Sequence, residues 1–352
     1  MRKTNLCIVA VTLIAVACKK QPTDFNSLNM PASEGQEINF SNPCYGNTWT
    51  GVGAFNPGGK VLHLTYNNKL YVLDYPGPLV GSETLHIYDG TSWQTMYSDI
   101  PFYTDNQHAF AFTISNKGYI GVSGGTSQFY EYDFATNTFT PKAPYPGAGK
   151  NGVATFSIGN RGYVLGGSHF ENGTIYHSNE TWEYNPTLNT WSQKADFAWL
   201  GMSEATGFTI GSRGYLVNGK ITISGGDIYS NSLIEYNPWT DDWNSKAPFP
   251  GDPRIYTNAF VIGNYAYAGG GANYLTSSWT NYQDFYKYNP ANDQWTQIAD
   301  ISVNGRTWFN SFSINSKGYV ICDDANYSPD KLVKYTPRTC PPVYTSATSS
   351  GH

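Results

Sequence analysis

Charge is scarce in this chain. Only 13% of its 352 residues are Asp, Glu, Lys or Arg, the net charge is −5, and no basic run exists. Without a basic patch a nucleic-acid partner is not expected. Cysteine is scarce as well, at five residues, which excludes a disulfide-dense scaffold. There is no C-x-x-C, H-E-x-x-H or Walker-type loop. The compact signatures of dithiol redox, zinc-protease and nucleotide chemistry are therefore missing. His63, His86, His108, His169, His177 and His352 include no pair at a convincing ligand spacing, so neither a metal nor another cofactor is expected. His169 and His177 fall in one long segment that reads as a polar surface loop.

Long apolar runs are also lacking, apart from residues 6–14 behind Arg2 and Lys3. That run is too short to cross a bilayer. It leads into Ala15-Val16-Ala17-Cys18, which resembles a bacterial lipobox, the motif whose Cys carries the lipid. Residues 1–17 are thus expected to be a lipoprotein signal peptide, and 18–42 a lipidated Cys18 with a flexible polar tether. Membrane attachment would be through the lipid alone. Lys19 follows the Cys where an Asp would favour inner-membrane retention. This places the expected protein in the bacterial cell envelope, at the outer membrane.

What the chain does have is Gly, Tyr, Trp and Pro, the composition of an all-β protein with many turns. One phrase recurs six times, at Tyr66 ("YNNKLYV"), Ile114 ("ISNKGYI"), Ile158 ("IGNRGYV"), Ile210 ("IGSRGYL"), Ile262 ("IGNYAYA") and Ile314 ("INSKGYV"). The intervals are 48, 44, 52, 52 and 52 residues. Each copy is a turn between apolar, β-branched stretches, a hairpin signal. A second hairpin follows each of the first five, marked by Tyr88 with Trp93, Tyr132 with Phe139, Tyr184 with Trp191, Tyr236 with Trp243 and Tyr288 with Trp295. Each unit reads as four short strands that cannot bury both faces alone. Six of them set radially about an axis can, so the spacing predicts a six-bladed β-propeller over residues 43–343, with a flexible tail over 344–352.

The units also resemble kelch repeats, in which a hydrophobic strand precedes a Gly-Gly doublet and a spaced Tyr and Trp. The doublet is present as Gly124-Gly125, Gly166-Gly167 and Gly270-Gly271, and reduced to Asn218-Gly219. Asp74-Tyr75 and Cys322-Asp323 replace it in the first and last units. The resemblance implies the fold and is nearly silent on function.

The last unit reaches Tyr335 and then lacks its Trp. Near the N-terminus, "NTW" at Asn47 to Trp49 repeats "NTW" at Asn189 to Trp191. The N-terminal strand is therefore expected to complete the sixth blade. In this register Cys44 and Cys340 fall in one turn, so a disulfide between them is expected. Closing a loop of that size contributes about 4–5 kcal/mol in the chain-entropy model. Cys322, at a doublet position, is expected to be a buried free thiol.

Register also nominates a site at the channel mouth. Eight residues before the repeat phrase stand Lys150, Met202, Arg254 and Arg306, and six before stand His108, Glu204, Tyr256 and Trp308. Two residues apart on a strand implies a shared face. Lys150, Arg254, Arg306, His108, Glu204, Tyr256 and Trp308 are therefore expected together. The cations suit a carboxylate, and the rings suit the flat face of a sugar.

Two functions follow. The first is a non-catalytic binding module for a glycan, a small acidic sugar or a protein partner, with the protein a monomer. The second rests on a further resemblance, of overall design, to bacterial kelch-type sialic-acid mutarotases. That resemblance implies ring opening at the channel, with Glu204 and Arg254 as candidate catalytic residues. The copper-dependent kelch-type oxidases need a Cys-modified Tyr and a His pair, and do not fit.

Overall fold

The computed structural model describes residues 47–54, 62–74, 84–97, 100–101, 109–122, 127–148, 151–197, 200–223, 226–275, 278–301, 306–323 and 331–338. For a few of these, 306–310 among them, it describes the backbone alone. All of them belong to the compact unit Cys44–His352.

The described residues form antiparallel sheets, each built from sequential hairpins. Blade 1 runs Leu62–Tyr66, Lys69–Asp74, Thr84–Tyr88 and Trp93–Tyr97, from the axis outward. Blades 2, 3 and 5 repeat the pattern, starting at Ala109–Ile114, Ala154–Ile158 and Asn258–Ile262. Blade 4, starting at Thr206–Ile210, has much longer middle strands, Arg213–Ile223 and Gly226–Asn237. Each innermost strand contacts those of the blades on either side, and Leu62–Tyr66 meets Arg306–Ile314 of blade 6, so the ring closes. This is the six-bladed propeller that the repeat spacing predicts.

The core is not central but lies between blades. Six buried apolar clusters each join one blade to the next, as where Phe110 and Phe112 of blade 2 meet Val164 and Tyr184 of blade 3. The glycine of the recurrent Gly-Tyr phrase makes room for this packing. A Cβ on Gly162 would lie 2.1 Å from Phe112, and one on Gly214 2.3 Å from Phe156, each ring coming from the preceding blade. Hydroxyls on the innermost strands reach across too, with Thr155 donating to the Ala111 carbonyl at 2.9 Å and Thr209 to Ser157 at 2.7 Å.

The outer halves of blades 2 to 6 are held by one clamp, repeated at four junctions. The indole N–H of Trp191 donates to the Ala143 carbonyl of the preceding blade at 3.0 Å, Trp243 to Ala195 at 3.1 Å and Trp295 to Ala247 at 2.9 Å. Two residues before each Trp stands Asn189, Asp241 or Asp293, in the left-handed region at φ of 51–53°. Its side-chain oxygen accepts from the amide of the same alanine at 2.9–3.0 Å. It also accepts from the tyrosine hydroxyl of its own blade at 2.7–2.9 Å.

Blade 6 takes this clamp from the other end of the chain. Thr48–Ala54 pairs antiparallel with Lys331–Thr336, with Trp49 opposite Tyr335. Trp49 donates to Ala299 at 2.9 Å, and Asn47, at φ 59°, accepts from Ala299 at 3.3 Å and from Tyr335 at 3.0 Å. Cys44 and Cys340 lie outside the described residues. The strands that flank them are paired as far as Asn47 and Thr336. Cys322 is buried, on the strand Lys317–Asp323.

Two of these clamps are carboxylates, which makes them pH-sensitive. Partial burial pushes the carboxyls of Asp241 and Asp293 up. Hydrogen bonds from the Ala195 and Ala247 amides and the Tyr236 and Tyr288 hydroxyls, with Lys194 and Lys246 close by, more than offset this and hold both below the ordinary value. A carboxyl depressed in the folded state stabilises fully above its unfolded pKa of about 3.9 and loses that contribution as pH falls through the folded value. Asp241→Asn/Asp293→Asn reproduces the asparagine of blades 3 and 6 without the charge. Its acid-unfolding curve is expected to be flatter than the wild-type curve below about pH 4. Parallel curves followed by circular dichroism would contradict this role.

Candidate functional site

The site begins with the backbone. Gly152, Glu204 and Tyr256 occupy the same repeat position in blades 3, 4 and 5, and all three are left-handed, at φ of 60°, 57° and 59°. Glycine is unstrained there, whereas a side-chain-bearing residue costs about 1–2 kcal/mol. Such strain concentrates at functional positions. Gly152 also makes space, since a Cβ on it would lie 2.9 Å from Cγ of Glu204. The Glu204 amide in turn donates to the Gly152 carbonyl at 2.8 Å.

Glu204 and Tyr256 thereby point into the axial channel, a cavity of about 630 Å³ whose wall draws on every blade: Leu62, Phe110, Ser157, Glu204, Ala259 and Ser311 are examples. The Tyr256 hydroxyl donates to Glu204 Oε1 at 3.4 Å. Lys220, also in the channel wall, places its Nζ 3.8 Å from Glu204 Oε2 and 3.4 Å from Asp227 Oδ2. Asp227 in turn lies 3.7 Å from Nε2 of His177, whose side chain is 2% exposed. Burial, reinforced by the nearby Lys220 charge, lowers the His177 pKa below its ordinary value despite Asp227. Asn151 Oδ1 and Ser157 Oγ are buried in the channel wall, and among the described residues neither has a hydrogen-bond partner. The channel thus combines a carboxylate, an ammonium and a phenol, set among aliphatic and aromatic walls.

Of the residues nominated from sequence, Glu204 and Tyr256 meet as expected. Arg254 does not join them. It is 0% exposed, with its guanidinium bidentate to Asp284 at 2.5 and 3.0 Å, donating to the carbonyls of Asp252 and Gly270, and packed against the rings of Phe249 and Tyr282. Met202, at the same repeat position, is likewise buried between blades 3 and 4. The expectation of a shared face fails because the left-handed residues 204 and 256 interrupt the extended chain, so side-chain alternation does not carry across them. Lys150 and His108 lie outside the described residues. Arg306 and Trp308 are described in backbone only, on the strand Arg306–Ile314.

Lys220, Asp227 and His177 were not foreseen as site residues. The segment holding His169 and His177, expected to be a polar surface loop, is a hairpin of Ser168–Glu171 and Thr174–His177 that buries His177 at its base. Lys220 and Asp227 are brought to the channel by the extended hairpin of blade 4, where Lys220 pairs with Tyr229 and Thr222 with Asp227. The usable signal was Lys220 directly after the Asn218-Gly219 doublet. Among the described residues no three His, Cys, Asp or Glu side chains converge as a metal site.

No family model matches the chain. It is 22% identical over 184 residues to an N-acetylneuraminate epimerase of Haemophilus influenzae, a match that spans 43% of this chain and 49% of that protein. It is 32% identical over 95 residues to Kelch-like protein 9 of Mus musculus, spanning 27% of this chain and 15% of that one. The chain therefore spans half or less of the curated relatives it matches. Among solved structures, that of YjhT superposes with a TM-score of 0.63 at 16% identity, covering 80% of this chain and 95% of YjhT.

The strain at Glu204 is directly measurable. Glu204→Gly and Glu204→Ala both remove the carboxylate, but only alanine keeps the left-handed penalty. The glycine variant is expected to be more stable by about 0.5–1 kcal/mol in urea unfolding, the penalty less the entropic cost of glycine. Equal stabilities would show that the backbone there is relaxed.

Proposed function

Because the chain is a six-bladed kelch-repeat β-propeller, we propose that it is a binding module that takes a sugar into its axial channel, with Glu204, Lys220 and Tyr256 as the contact residues. The observation that carries this reading is the pairing of Glu204 with Tyr256 and Lys220 at a strained backbone position, beside the unpartnered Asn151 and Ser157 oxygen atoms. A sugar offers alternating hydroxyls and C–H faces, and this wall offers charged hydrogen-bonding groups between apolar and aromatic ones. Acidic sugars of the N-acetylneuraminate kind are the first candidates. The partial match to an N-acetylneuraminate epimerase supports them, as does Lys220 in the channel wall.

The proposal extends to the cell envelope. Export by residues 1–17, lipidation of Cys18, residence at the outer membrane and closure of the ring by a Cys44–Cys340 disulfide are all part of it. Support comes from the lipobox-like Ala15-Val16-Ala17-Cys18 and from strand pairing that ends three residues after Cys44 and four before Cys340.

Anomerisation of the bound sugar is a second reading, favoured by Glu204 itself. Opening a sugar ring needs a base at the anomeric hydroxyl and an acid at the ring oxygen. Glu204 and Tyr256, hydrogen-bonded at 3.4 Å, supply groups of both kinds. Arg254, buried in its pair with Asp284, has no part in this step.

Calorimetric titration with N-acetylneuraminate tests the proposal. Glu204→Gln is expected to weaken binding about tenfold or more, since hydrogen bonds to a charged group contribute about 1.5–3 kcal/mol. Undiminished affinity in that variant, or no binding by the wild type, would overturn it. Accelerated anomerisation seen by NMR, and lost in Glu204→Gln, would decide for the second reading.

A further inference from the structure

Blades 3, 4 and 5 carry more chain than a four-stranded blade needs. Blade 3 adds the hairpin Ser168–Glu171 with Thr174–His177, and blade 5 adds Ala272–Leu275 with Ser278–Asn281. Between them stand the extended middle strands of blade 4. The three hairpins are tied in a row. His177 of the first lies 3.7 Å from Asp227 of the second. The Tyr229 hydroxyl of the second donates to the Tyr274 carbonyl of the third at 3.3 Å and accepts from the Tyr274 amide at 3.1 Å.

This crown presents aromatic side chains to solvent beside the channel. Trp279 is 38% exposed and Tyr274 47%. Their rings lie 5.3 Å apart. Trp279 also stacks on Tyr256, at 6.2 Å and 28° between planes. Tyr256 belongs to the channel wall and hydrogen-bonds to Glu204. From the other side, Ile175 of the blade 3 hairpin is 52% exposed and lines the same channel. An aromatic surface therefore runs without a break from the channel out onto the blade 5 hairpin. Around it the exposed strand of the hairpin is polar, with Ser278, Thr280 and Asn281. Flat rings among short amide and hydroxyl side chains suit a sugar face with its rim of hydroxyls better than the contiguous aliphatic surface of a protein hot spot.

We propose that Trp279, backed by Tyr274, is the stacking platform of a second sugar subsite, outside the channel. The ligand is then a glycan whose terminal acidic sugar enters the channel while the next residue rests on Trp279. The proposal rests on the channel reading above and sharpens its substrate class from a free sugar to a linked one. It also bears on the second reading, because a sugar joined through its anomeric carbon cannot be anomerised.

The test compares two probes, free N-acetylneuraminate and sialyllactose, titrated into the full-length wild-type protein, Trp279→Ala, Trp279→Phe, Trp279→Leu and Glu204→Gln. Sialyllactose is expected to bind about three- to tenfold more tightly than the free sugar, the range of one aromatic stacking contact. Trp279→Ala is expected to lose that advantage while its affinity for the free sugar stays within about twofold, and Trp279→Phe to keep most of it. Glu204→Gln is expected to weaken both probes. Equal affinity for the two probes, with no effect of Trp279→Ala, would overturn the outer subsite and leave the channel standing. Tight binding of sialyllactose that depends on Trp279 but not on Glu204 would instead overturn the channel reading. Failure of both probes to bind would overturn both and leave the crown to a protein partner. Trp279→Leu keeps apolar bulk without the flat ring, so it decides the matter if Trp279→Ala fails to fold: it is expected to lose the advantage, and full retention would overturn the outer subsite.

Discussion

The molecule depends on one repeated contact, the clamp by which a Trp and an Asn or Asp of one blade hold the alanine just beyond the outer strand of the blade before. The indole N–H satisfies the alanine carbonyl, and the Asn or Asp side chain satisfies its amide. The same oxygen receives the hydroxyl of the buried tyrosine of its own blade. One short turn thus fixes the blade it belongs to and the angle to its neighbour. The left-handed backbone of the Asn or Asp aims its oxygen at both donors, and these residue types tolerate that conformation better than most. A ring built from such contacts has a weak point where the chain ends meet. Here the N-terminal strand meets that need by supplying Asn47 and Trp49 to the clamp on Ala299.

A rigid ring of this kind can tolerate strain on its axis. Glu204 and Tyr256 sit in the same left-handed conformation that the turns use, but in the segment that enters the channel, where the equivalent residue of blade 3 is glycine. No clamp needs a side chain there. The conformation instead turns the side chains of Glu204 and Tyr256 into the cavity and sends Met202 and Arg254 back between the blades. Arg254 then serves the scaffold, filling the space beside Phe249 and Tyr282 with its charge matched by Asp284. A buried guanidinium with a bidentate partner and backbone acceptors is stable where it is and unavailable to a ligand.

How much of this could be read from the residues follows from the range of each interaction. The blade period and the clamp were legible because they recur: Asn47 to Trp49 copies Asn189 to Trp191, and the copy implied its place. The site was legible only in half. Glu204 and Tyr256 follow from register, but the face of Arg254 depended on a backbone angle that neither Glu nor Tyr advertises in sequence. Lys220, Asp227 and His177 lay beyond reach for another reason. They come together through the added hairpin of blade 3 and the extended middle strands of blade 4, which lie outside the recurring phrases, so no repeat reports their register. What repeats is scaffold, and what departs from the repeat builds the site and the crown above it.

The claim at the centre of this account is that the axial channel, and not an outer face of the propeller, receives the ligand. A crystal structure of the protein grown with N-acetylneuraminate tests it most directly. The account predicts the sugar inside the channel, with its oxygen atoms within hydrogen-bonding distance of Glu204 and Lys220 and a ring face toward Tyr256. A sugar bound only on the outer surface, with Glu204 still held between Tyr256 and Lys220, would contradict it.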